Sequence, residues 1–576
     1  MSRFVDALLA TATQSSRGMV TGEPKELRWR SWAEIHRQAR QVAVALIAEG
    51  VAPGTAVAVL ATEPVLIAPT VQGVWLAGGS VTMLHQPTPR TDLAEWSRDT
   101  VRVLEMIGSP LVLLSPSFTR VAAVLAEQGI AHRLLTDLVE PEGSGVNGTA
   151  LSGRAPAPMP PQTRKAAPVP GGAALPFPVG EDATALLQLT SGSTGAPRAV
   201  RITHGNLISN ITAMAERMGC RPEEDVLASW LPLFHDMGMI GFLALPMALG
   251  AELVKITPLD FLSAPLLWPA LISTYGVSVT SAPNFAYALV ARFMAKVDNP
   301  GTFDLSTLRV AVNGAEPIDA GAVRAFTSAG ARFGMPRTCV VPAYGLAEAT
   351  LTVSAAPLAT DLAVDVVDTG RLTTDGLAVP AEPGAVSSIF CRLGTPLPGL
   401  EVSVVTADGA PLGDREVGHL RVRGTSVTPG YLTESGPVSA QDELGWVNTG
   451  DLGYLADGDV VVCGRVKDVI IMGGRNIYPT DIERAAASVD GVRVGHAAAI
   501  RMNAGTLRER FAVAVESPRI NDAQAVALLR KEITARVVDL VGVRPAAVHV
   551  LKPGTLPKTT SGKLRRAAAA EQITAL

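Results

Sequence analysis

Cysteine and an excess of positive charge are the two features that this sequence most clearly lacks. Its 576 residues include four cysteines, which lie far apart and form no C-x-x-C pair. This excludes a recognisable zinc site or disulfide framework and favours a reducing cytosol. With 49 lysines and arginines against 53 aspartates and glutamates, the formal net charge is −4, and no basic run is present. The charge balance therefore argues against nucleic acid as a partner.

A targeting segment and a clear membrane span are also missing. The opening residues, MSRFVDALLATATQ, have neither the basic start nor the continuous apolar core of a signal peptide. Residues 65–84 are uncharged and long enough to cross a membrane, but they include Pro69, Gln72 and the pair Gly78 and Gly79. A helix that ends at the glycine pair and continues into a buried strand explains them better. We expect a cytoplasmic protein that is not an integral membrane protein.

Length and composition predict a multidomain α/β protein. The chain is too long for a single hydrophobic core. It is 47% hydrophobic and contains 54 glycines and 42 prolines, as in an α/β enzyme with many turns. Ser31 and Glu34 form a capping box before an amphipathic helix, and an apolar strand follows at 57–62. Strand and helix alternate at a spacing that favours a mostly parallel sheet.

Two changes in composition predict the domain organisation. Residues 141–182 are dense in Pro, Gly and Ala, which predicts a flexible excursion on the surface. The charged pair Lys467–Asp468 separates two hydrophobic runs, which is typical of a hinge or boundary. We predict a large N-terminal α/β domain over 1–467, with mixed or parallel sheets and flanking helices. A small, mobile α+β C-terminal domain over 468–576 completes the prediction.

The stretch QLTSGSTGAPRAV at 188–200 is a candidate phosphate-binding loop. It joins a predicted strand at 183–189 to another at 199–203, and it lacks the lysine and the helix of a Walker A loop. The hydroxyls and backbone N–H groups of such a loop can surround one anion, although a Ser/Gly-rich loop is more often a plain turn. The candidate phosphate-binding residues are Thr190, Ser191, Gly192, Ser193, Thr194 and Gly195.

Further motifs follow the loop in order, and together they carry a family resemblance. They are GAEP (314–317), YGLAEAT (344–350), GWVNTGDLGYL (445–455), GRVKDVIIMGGRNIYPTDIE (464–483) and LPKTTSGKLRR (556–566). With them the chain resembles the adenylate-forming ligases, which include acyl-CoA synthetases, peptide-synthetase adenylation domains and luciferases. The resemblance implies attack of a carboxylate on the α-phosphate of ATP with Mg²⁺ present, and no tightly bound prosthetic group.

The resemblance also implies a role for each motif residue. The loop at 190–195 would hold the β- and γ-phosphates, and Arg198 stands where many relatives have lysine. Lys563 would neutralise the repulsion between the attacking carboxylate and the phosphate, and Asp468 occupies the hinge position. Glu348 and Thr190 would bind magnesium. The implied nucleotide-binding residues are Gly314, Ala315, Glu316, Tyr344, Gly345, Asp451 and Arg465, of which the last two would contact the ribose.

Each of these residue types also has an ordinary structural interpretation. Glu348 alone would be a surface helix carboxylate, and Tyr344 alone would be a core aromatic residue. Lys563 alone would belong to a solvated basic tail. The motif context favours the functional interpretation in each case.

The acid substrate is predicted from an uncharged stretch, SWLPLFHDMGMIGFLALPMALG at 229–250. Peptide-synthetase domains, which this chain also resembles, usually carry an aspartate that binds the amino group of the substrate. The acidic residue in this stretch is Asp236, and it belongs instead to a His-Asp pair of the family pattern. A hydrophobic tunnel for a fatty acid fits better, although many of these residues individually are core residues. His235 would gate the tunnel or simply pack. The candidate acyl-binding residues are His235, Met237, Gly238 and Ser281.

The final acceptor is predicted from a closer resemblance to the actinobacterial fatty acyl-AMP ligases. It rests on WLPLFHDMGMIG and on the later GRN-x-YP-x-DIE pattern. That resemblance implies transfer to the phosphopantetheine of an acyl carrier protein or polyketide synthase, and an insertion at about 350–390 that restrains the mobile domain. In this chain 45 residues separate Glu348 from Gly394, but RLGTP stands where a Cys-Gly pair is expected.

Two alternatives remain at this point. The first is a fatty acyl-CoA synthetase, in which coenzyme A accepts the acyl group. The second is a non-catalytic nucleotide-binding relative, against which the presence of Lys563, Glu348 and Asp451 argues.

Overall fold

The computed structural model describes residues 2–24, 26–87, 93–139, 178–191, 196–493, 495–506, 508–558 and 564–574. Several predicted features fall outside these ranges. They are most of the Pro/Gly-rich excursion at 141–182, the loop residues Gly192, Ser193, Thr194 and Gly195, and Lys563.

The helices lie throughout the described chain. They are α1 Arg3–Gln14, α2 Trp32–Ala48, α3 Pro64–Leu76, α4 Leu93–Ile107, α5 Thr119–Glu127, α6 His204–Arg217, α7 Asp236–Met239, α8 Leu245–Leu249, α9 Pro258–Ser263, α10 Leu267–Tyr275, α11 Asn284–Met294, α12 Ala320–Ala331, α13 Thr369–Asp375, α14 Pro479–Ala487, α15 Ala523–Val541 and α16 Arg566–Thr574.

The strands alternate with these helices in the first three quarters of the chain. They are β1 Gly18–Glu23, β2 Glu26–Ser31, β3 Ala56–Leu60, β4 Ser80–Met83, β5 Val112–Leu114, β6 His132–Leu134, β7 Thr184–Ser191, β8 Pro197–Thr203, β9 Val226–Ser229, β10 Glu252–Lys255, β11 Val279–Ala282, β12 Val310–Asn313, β13 Val340–Gly345, β14 Thr352–Ala355, β15 Val364–Asp368, β16 Ser387–Cys391, β17 Leu400–Val405, β18 Gly418–Gly424, β19 Gly430–Thr433, β20 Gly436–Ser439, β21 Val447–Ala456, β22 Asp459–Arg465, β23 Ile470–Met472, β24 Arg475–Ile477, β25 Ala497–Met502, β26 Arg510–Glu516 and β27 Ala547–Leu551.

Local sequence signals determine several of these elements. The Ser31 hydroxyl accepts from the Glu34 N–H at 3.1 Å, and the Glu34 carboxylate accepts from the Ser31 N–H at 2.8 Å, so α2 begins at the predicted capping box. Helix α3 is buried and is followed by the buried strand β4 after the glycine pair, as predicted for residues 65–84. Among the described residues, no helix is both long and apolar enough to cross a membrane.

Two large mixed sheets form the N-terminal part of the protein. One has the strand order β14-β13-β12-β11-β9-β10-β1-β2, and the other has the order β20-β19-β8-β7-β4-β3-β5-β6. In the first sheet β9 to β13 and β1 run parallel, while β2 and β14 are antiparallel edges. Helices pack between and beside the sheets around one extensive apolar core. The parallel strands are the consequence of the predicted strand and helix alternation.

The C-terminal part has its own core. Strands β25, β26 and β27 form a three-stranded sheet, which α14, α15 and α16 accompany. Apolar residues between 470 and 550 form a cluster separate from the main core. The fold class is therefore as predicted, an α/β protein with mixed sheets and a smaller C-terminal unit, and the exact boundary at 467 stays a prediction.

Most of the segment in which an insertion is predicted, about 350–390, forms an ordered unit beyond β14, and its being an insertion stays a prediction. Strands β15 and β16 pair in antiparallel fashion, and α13 lies between them in sequence. The buried Asp365 carboxylate accepts from Arg415 Nη1 at 3.0 Å and from the Tyr454 hydroxyl at 2.7 Å. These bonds attach the unit to the adjacent loop and to β21. We call residues 364–391 the β15–β16 unit.

Candidate active site

Antiparallel strands β7 and β8 hold the candidate phosphate loop at its two ends. Thr190 pairs with Arg198, and Ser191 pairs with Pro197. The loop therefore joins strand to strand, as predicted, and no helix begins among the described residues on either side of it. Because both strands lie inside an eight-stranded sheet, the two ends of the loop are fixed.

A cluster of polar side chains surrounds the guanidinium of Arg198. Its Nε donates to the Thr190 hydroxyl at 3.3 Å, and its Nη2 donates to Glu348 Oε1 at 3.3 Å. The guanidinium lies over the ring of Tyr431, 4.6 Å from the ring centroid. The Tyr431 hydroxyl completes the cluster by donating to the same Glu348 oxygen at 3.1 Å.

Glu348 is held inside the protein and does not lie on a surface helix. It sits in a short 3₁₀ turn, and its side chain is 12% exposed. Its backbone carbonyl accepts from the Thr428 N–H at 2.7 Å. Burial and the nearby Glu348 charge raise the pKa of Tyr431, which keeps that hydroxyl protonated and able to donate.

The oxygens of Glu348 and Thr190 are suited to a magnesium ion. The Glu348 carboxylate and the Thr190 hydroxyl both accept hydrogen bonds from the Arg198 guanidinium. The site therefore already favours a positive charge between these two residues. Mg²⁺ commonly binds one or two carboxylates and completes its shell with phosphate and water oxygens. The donor set of this cluster fits that requirement.

A second cluster joins Tyr344, Asp451 and Arg465. The Tyr344 hydroxyl donates to Asp451 Oδ2 at 2.7 Å, and Arg465 Nε lies 3.3 Å from Asp451 Oδ1. Asp451 and Arg465 are paired across β21 and β22. Burial, together with the Asp451 charge, raises the pKa of Tyr344 well above its usual range. The structure thus brings together three residues that the sequence predicts to contact the nucleotide.

The carboxyl ends of β12 and β13 bring the GAEP and YGLAE motifs side by side. A side chain at Gly314 would approach the Ala343 carbonyl to 3.0 Å, and one at Gly345 would overlap the Leu351 carbonyl. Ala315 has a φ of 68°, a left-handed backbone that costs free energy for a residue with a side chain. Glu316 accepts from the Phe285 N–H at 2.6 Å. Ligands of open α/β sheets bind at this edge.

The predicted acyl-binding residues also lie together. Ser281, which is 1% exposed, donates to the Met237 sulfur at 3.2 Å. A side chain at Gly238 would overlap the Pro232 carbonyl, so the backbone requires glycine there. His235 accepts from the Met237 N–H at 3.3 Å and caps α7. This gives His235 a local structural role, and its role as a gate stays a prediction.

Lys563 lies outside the described residues, but the chain on both sides of it is placed. Lys558 and Leu564 form an isolated β-bridge, and the Arg565 N–H donates to the Pro557 carbonyl at 2.9 Å. Burial lowers the pKa of Lys558, and the nearby Glu316 charge opposes that change. The described residues on the two sides of Lys563 therefore lie next to each other.

The sequence matches two known protein families over most of its length. The AMP-binding enzyme family matches residues 10–432, and the AMP-binding enzyme C-terminal domain matches residues 474–569. The chain belongs to the AMP-binding enzyme family.

Individual relatives of this AMP-binding enzyme narrow the class. Rv1013 of Mycobacterium tuberculosis, named provisionally as a ligase, is 48% identical over 575 residues and matches 100% of both chains. FadD26 of the same organism, named a long-chain-fatty-acid–AMP ligase, is 34% identical over 67% of this chain and 69% of its own. TtuA of Teredinibacter turnerae, named a medium-chain-fatty-acid–[acyl-carrier-protein] ligase, is 32% identical over 67% of this chain and 62% of its own.

A solved structure agrees with these relatives. A fatty acyl-adenylate ligase, from a study of the E. coli and L. pneumophila proteins, superposes with a TM-score of 0.84 and 30% identity. The match covers 99% of this chain and 97% of that chain. The predicted resemblance and enzyme class are therefore confirmed: this AMP-binding enzyme belongs with the fatty acid adenylating ligases. The family uses ATP, usually with Mg²⁺.

Some residues of the site were not predicted from the sequence. Tyr431 reaches Glu348 because β19 pairs with β8, where Thr433 lies opposite Arg198. Lys558, in the C-terminal part of the chain, has a pKa that burial lowers and that the charge of Glu316 raises, and its ammonium donates to the Gly495 carbonyl at 3.0 Å. Neither pairing has a local sequence signal, since the partners are distant in the chain and only the tertiary fold brings them together.

Arg198 should contribute to nucleotide binding through its charge in this AMP-binding enzyme. We expect Arg198→Met to raise the KM for ATP about tenfold, which corresponds to about 1.4 kcal/mol of lost binding free energy. Arg198→Lys keeps the charge and should stay within about threefold of the unsubstituted enzyme, because a lysine loses only the planar geometry.

Steady-state kinetics with varied ATP measure this effect. Arg201→Met is the matched control, because Arg201 lies on the same strand but donates to Thr184 at 2.9 Å and to the Asp182 carbonyl. Equal defects in Arg198→Met and Arg198→Lys would contradict a role based on charge.

Proposed function

We propose that this enzyme activates a fatty acid with ATP to an acyl-adenylate and releases pyrophosphate. It then passes the acyl group to the phosphopantetheine thiol of an acyl carrier protein or polyketide synthase. The alternative is a fatty acyl-CoA synthetase, which differs only in using coenzyme A as the acceptor. The observation that carries the choice is the attachment of the C-terminal part to the β15–β16 unit.

The first half-reaction must bring two anions together. Tyr344, Asp451 and Arg465 would bind the adenosine, while Thr190 and Arg198 would contact the triphosphate. These contacts would fix the α-phosphate for in-line attack by the fatty acid carboxylate. The Lys563 ammonium would lie between the two anions and stabilise the charge that develops there.

Magnesium fits into this scheme through Glu348 and Thr190. When bound, Mg²⁺ would neutralise phosphate charge between these two residues. Arg198 would then leave Glu348 for the phosphate oxygens, and the Tyr431 hydroxyl would continue to hold the carboxylate in position. The tyrosine thus keeps Glu348 oriented in both situations.

The acyl chain would enter the apolar region near His235. Met237 and Ser281 are buried beside it. Trp230, which follows β9 directly, stacks on Phe261 with ring centroids 4.0 Å apart and belongs to the same apolar core as Met237. Such a region excludes charged or amino-bearing side chains of a substrate because they would lose their hydration. It is therefore suited to an alkyl chain.

The β15–β16 unit contacts the C-terminal part through polar and apolar groups. Ser388 donates to the buried Asp481 of α14 at 2.8 Å, and Arg475 of β24 donates to Thr373 of α13 at 3.2 Å. Phe390 lies against Tyr478 with ring centroids 6.5 Å apart, inside a shared apolar cluster. Rotation of the C-terminal part would have to break these contacts.

This attachment supports a carrier protein as the acceptor. A ligand can shift a conformational equilibrium only by the difference between its affinities for the two states. A carrier protein has an interface of its own that can offset the cost of rotation, whereas coenzyme A makes fewer contacts. The stronger the attachment, the more the second half-reaction depends on a macromolecular acceptor.

A direct assay of the two acceptors tests the proposal. The purified enzyme is incubated with ATP, Mg²⁺ and labelled lauric acid, and either CoA or a holo-acyl carrier protein is added. We expect acyl-adenylate in all reactions and thioester only on the carrier protein. Acyl-CoA formed at a rate comparable to adenylate formation would establish the alternative. Absence of pyrophosphate release with every fatty acid in a panel would refute both.

Weakening the contacts between the β15–β16 unit and the C-terminal part should allow coenzyme A to act as an acceptor. We expect the double variant Thr373→Val/Ser388→Ala to increase acyl-CoA formation about 30-fold, since two hydrogen bonds of about 1 kcal/mol each are lost. Adenylate formation should stay unchanged, because none of the nucleotide contacts is altered.

The ratio of acyl-CoA to acyl-adenylate formation measures this change. Thr374→Val is a matched control, because Thr374 is the exposed neighbour of Thr373 on α13. An unchanged ratio in the double variant would argue against restraint by the β15–β16 unit.

A further inference from the structure

A fully buried lysine lies beside the segment that carries the candidate acyl-binding residues. Lys255 is the last residue of β10 and is 1% exposed. Its Nζ donates to the Leu231 carbonyl and, at 3.4 Å each, to the carbonyls of Ser229 and Ile256. No carboxylate of the described residues forms an ion pair with this ammonium. Three backbone carbonyls therefore take the place of a counter-ion.

Burial makes this ammonium costly for the protein. It lowers the pKa of Lys255 to about 7, although the nearby Asp260 charge opposes that change. A methionine has a similar length and would fill the same space without that cost. What the lysine adds is three N–H donors on one atom, which can join backbone groups from different parts of the fold. Its contribution is therefore geometric and is not a gain in packing.

The carbonyls that accept from Lys255 lie on both sides of Trp230. Ser229 is the last residue of β9, where it pairs with Lys255, and Leu231 follows Trp230 directly. The Ile256 N–H donates to the same Ser229 carbonyl at 3.1 Å. Because the backbone is held before and after Trp230, the direction in which its side chain leaves the end of β9 is fixed.

The ring of Trp230 contacts several other aromatic rings. It stacks on Phe261 of α9 with ring centroids 4.0 Å apart and planes 9° apart. It meets Trp268 and Phe285 edge to face, with centroids 6.2 Å away in both cases. Phe285 lies in the first turn of α11. A shift of the Trp230 backbone would therefore be passed on to α9, α10 and α11.

The Leu231 carbonyl also lies against the helix that carries two candidate acyl-binding residues. A side chain at Gly238 of α7 would approach the Leu231 oxygen to 3.2 Å. Met237, the preceding residue, accepts from the Ser281 hydroxyl at 3.2 Å. Only one or two contacts therefore separate these candidate acyl-binding residues from the backbone that Lys255 holds.

We propose that Lys255 is a positioning residue that holds Trp230 and residues 231–238 in the arrangement that binds the acyl chain. A pre-organised site binds more tightly, because less conformational freedom is lost when the ligand enters. The effect falls on the fatty acid, since the carbonyls that Lys255 holds belong to the backbone beside the candidate acyl-binding residues. This inference rests on the proposed function, because it takes the apolar region near His235 as the acyl site.

Steady-state kinetics of fatty acid-dependent ATP–pyrophosphate exchange provide the first test. Lys255→Met should raise the KM for the fatty acid about tenfold, because the acyl site must then be ordered during binding. The KM for ATP and the kcat should stay within about twofold, since the nucleotide contacts are unaltered. A general loss of folded enzyme would instead lower kcat and leave both KM values unchanged. An unchanged KM for the fatty acid, or equal increases in both KM values, would overturn the proposal.

Thr21 offers a matched control on the neighbouring strand. It pairs with Lys255 across β1 and β10 and is 2% exposed, and its hydroxyl has no hydrogen-bond partner in the described part of the chain. Thr21→Val therefore changes a buried polar side chain beside Lys255 without removing a contact to residues 229–238. Both KM values should stay within about twofold in this variant. Equal increases in the fatty acid KM of Thr21→Val and Lys255→Met would contradict a specific role for Lys255.

Substitution of the held residue tests how Lys255 acts. Trp230→Phe should raise the fatty acid KM about threefold, and Lys255→Met/Trp230→Phe should have a KM no higher than that of the worse single variant. Additive effects in the double variant would overturn the proposal. If the melting temperature shows that Lys255→Met is poorly folded, Trp230→Phe still decides, because an unchanged fatty acid KM in that variant would also overturn it.

Hydrogen exchange gives a readout that does not depend on the substrate. The Leu231 N–H donates to the Ser229 hydroxyl at 3.0 Å, and the His235 N–H donates to the Pro232 carbonyl at 3.3 Å. Lys255→Met, but not Thr21→Val, should increase amide exchange in a peptide spanning 230–238. Unchanged exchange there would overturn the proposal. If the unsubstituted enzyme shows no pyrophosphate exchange with any fatty acid, the proposed function fails, and the hydrogen exchange comparison still decides whether Lys255 holds this segment.

Discussion

Lys563→Ala is expected to abolish acyl-adenylate formation, with a loss of at least about 10³-fold. Removing a single group that stabilises developing charge in a water-excluded site costs about 10²–10³-fold. A lysine ammonium between two anions should be worth at least that much. The described residues that flank it, Lys558 and Leu564, form a β-bridge, and the charge of Glu316 in the GAEP motif acts on the pKa of Lys558. Fatty acid-dependent ATP–pyrophosphate exchange measures this half-reaction.

The second half-reaction distinguishes a catalytic defect from a general one. Thioester formation from supplied acyl-adenylate should remain largely intact in Lys563→Ala, because no phosphate bond is made in that step. Lys552→Ala is a suitable control, since Lys552 is an exposed lysine in the same part of the chain. Equal loss in both half-reactions would refute the division of roles between them.

Glu348→Gln is expected to lower adenylate formation about 100-fold and to raise the Mg²⁺ concentration needed for half-maximal activity. Glutamine preserves the shape but removes the charge that a divalent cation requires. The 12% exposed carboxylate contacts Arg198 and Tyr431, and both can still hydrogen-bond to the amide oxygen. The free energy of unfolding should therefore change little.

Two measurements check this expectation independently. Titration of the purified protein with Mn²⁺ and ATP should show weaker metal-dependent nucleotide binding in Glu348→Gln, with an unchanged melting temperature. Glu443→Gln, at an exposed glutamate, should behave as the unsubstituted enzyme. Unaltered metal dependence in Glu348→Gln would exclude Glu348 as a magnesium ligand.

Features that depend on neighbouring residues were predictable from the sequence. The capping box at Ser31 begins α2, and the glycine pair at 78–79 separates α3 from β4. Strands β7 and β8 flank the candidate phosphate loop as their apolar pattern indicates. These signals are read within a few residues because the physical interactions behind them are equally local.

Features that depend on distant pairings were not predictable. The sequence marked Arg198 as a departure from the usual lysine, but its contacts with Glu348 and Tyr431 depend on strands that meet only in the folded sheet. The length of the segment after Glu348 predicted an insertion. Its amino-acid sequence, however, did not identify Ser388 as the hydrogen-bond partner of Asp481. Hydrophobic and polar patterns fix which face of an element is buried, not which distant element covers it.

The attachment of Asp365 has a practical consequence for anyone who wishes to remove the β15–β16 unit. Deleting 364–391 would leave the Arg415 guanidinium and the Tyr454 hydroxyl without their carboxylate, in a partly or fully buried setting. It would also uncover apolar side chains of β21 and β22 that pack on Phe390. Such a truncated protein would be prone to aggregate, and its inactivity would say nothing about acceptor choice. The point substitutions Thr373→Val and Ser388→Ala remove contacts to the C-terminal part and leave the Asp365 attachment in place.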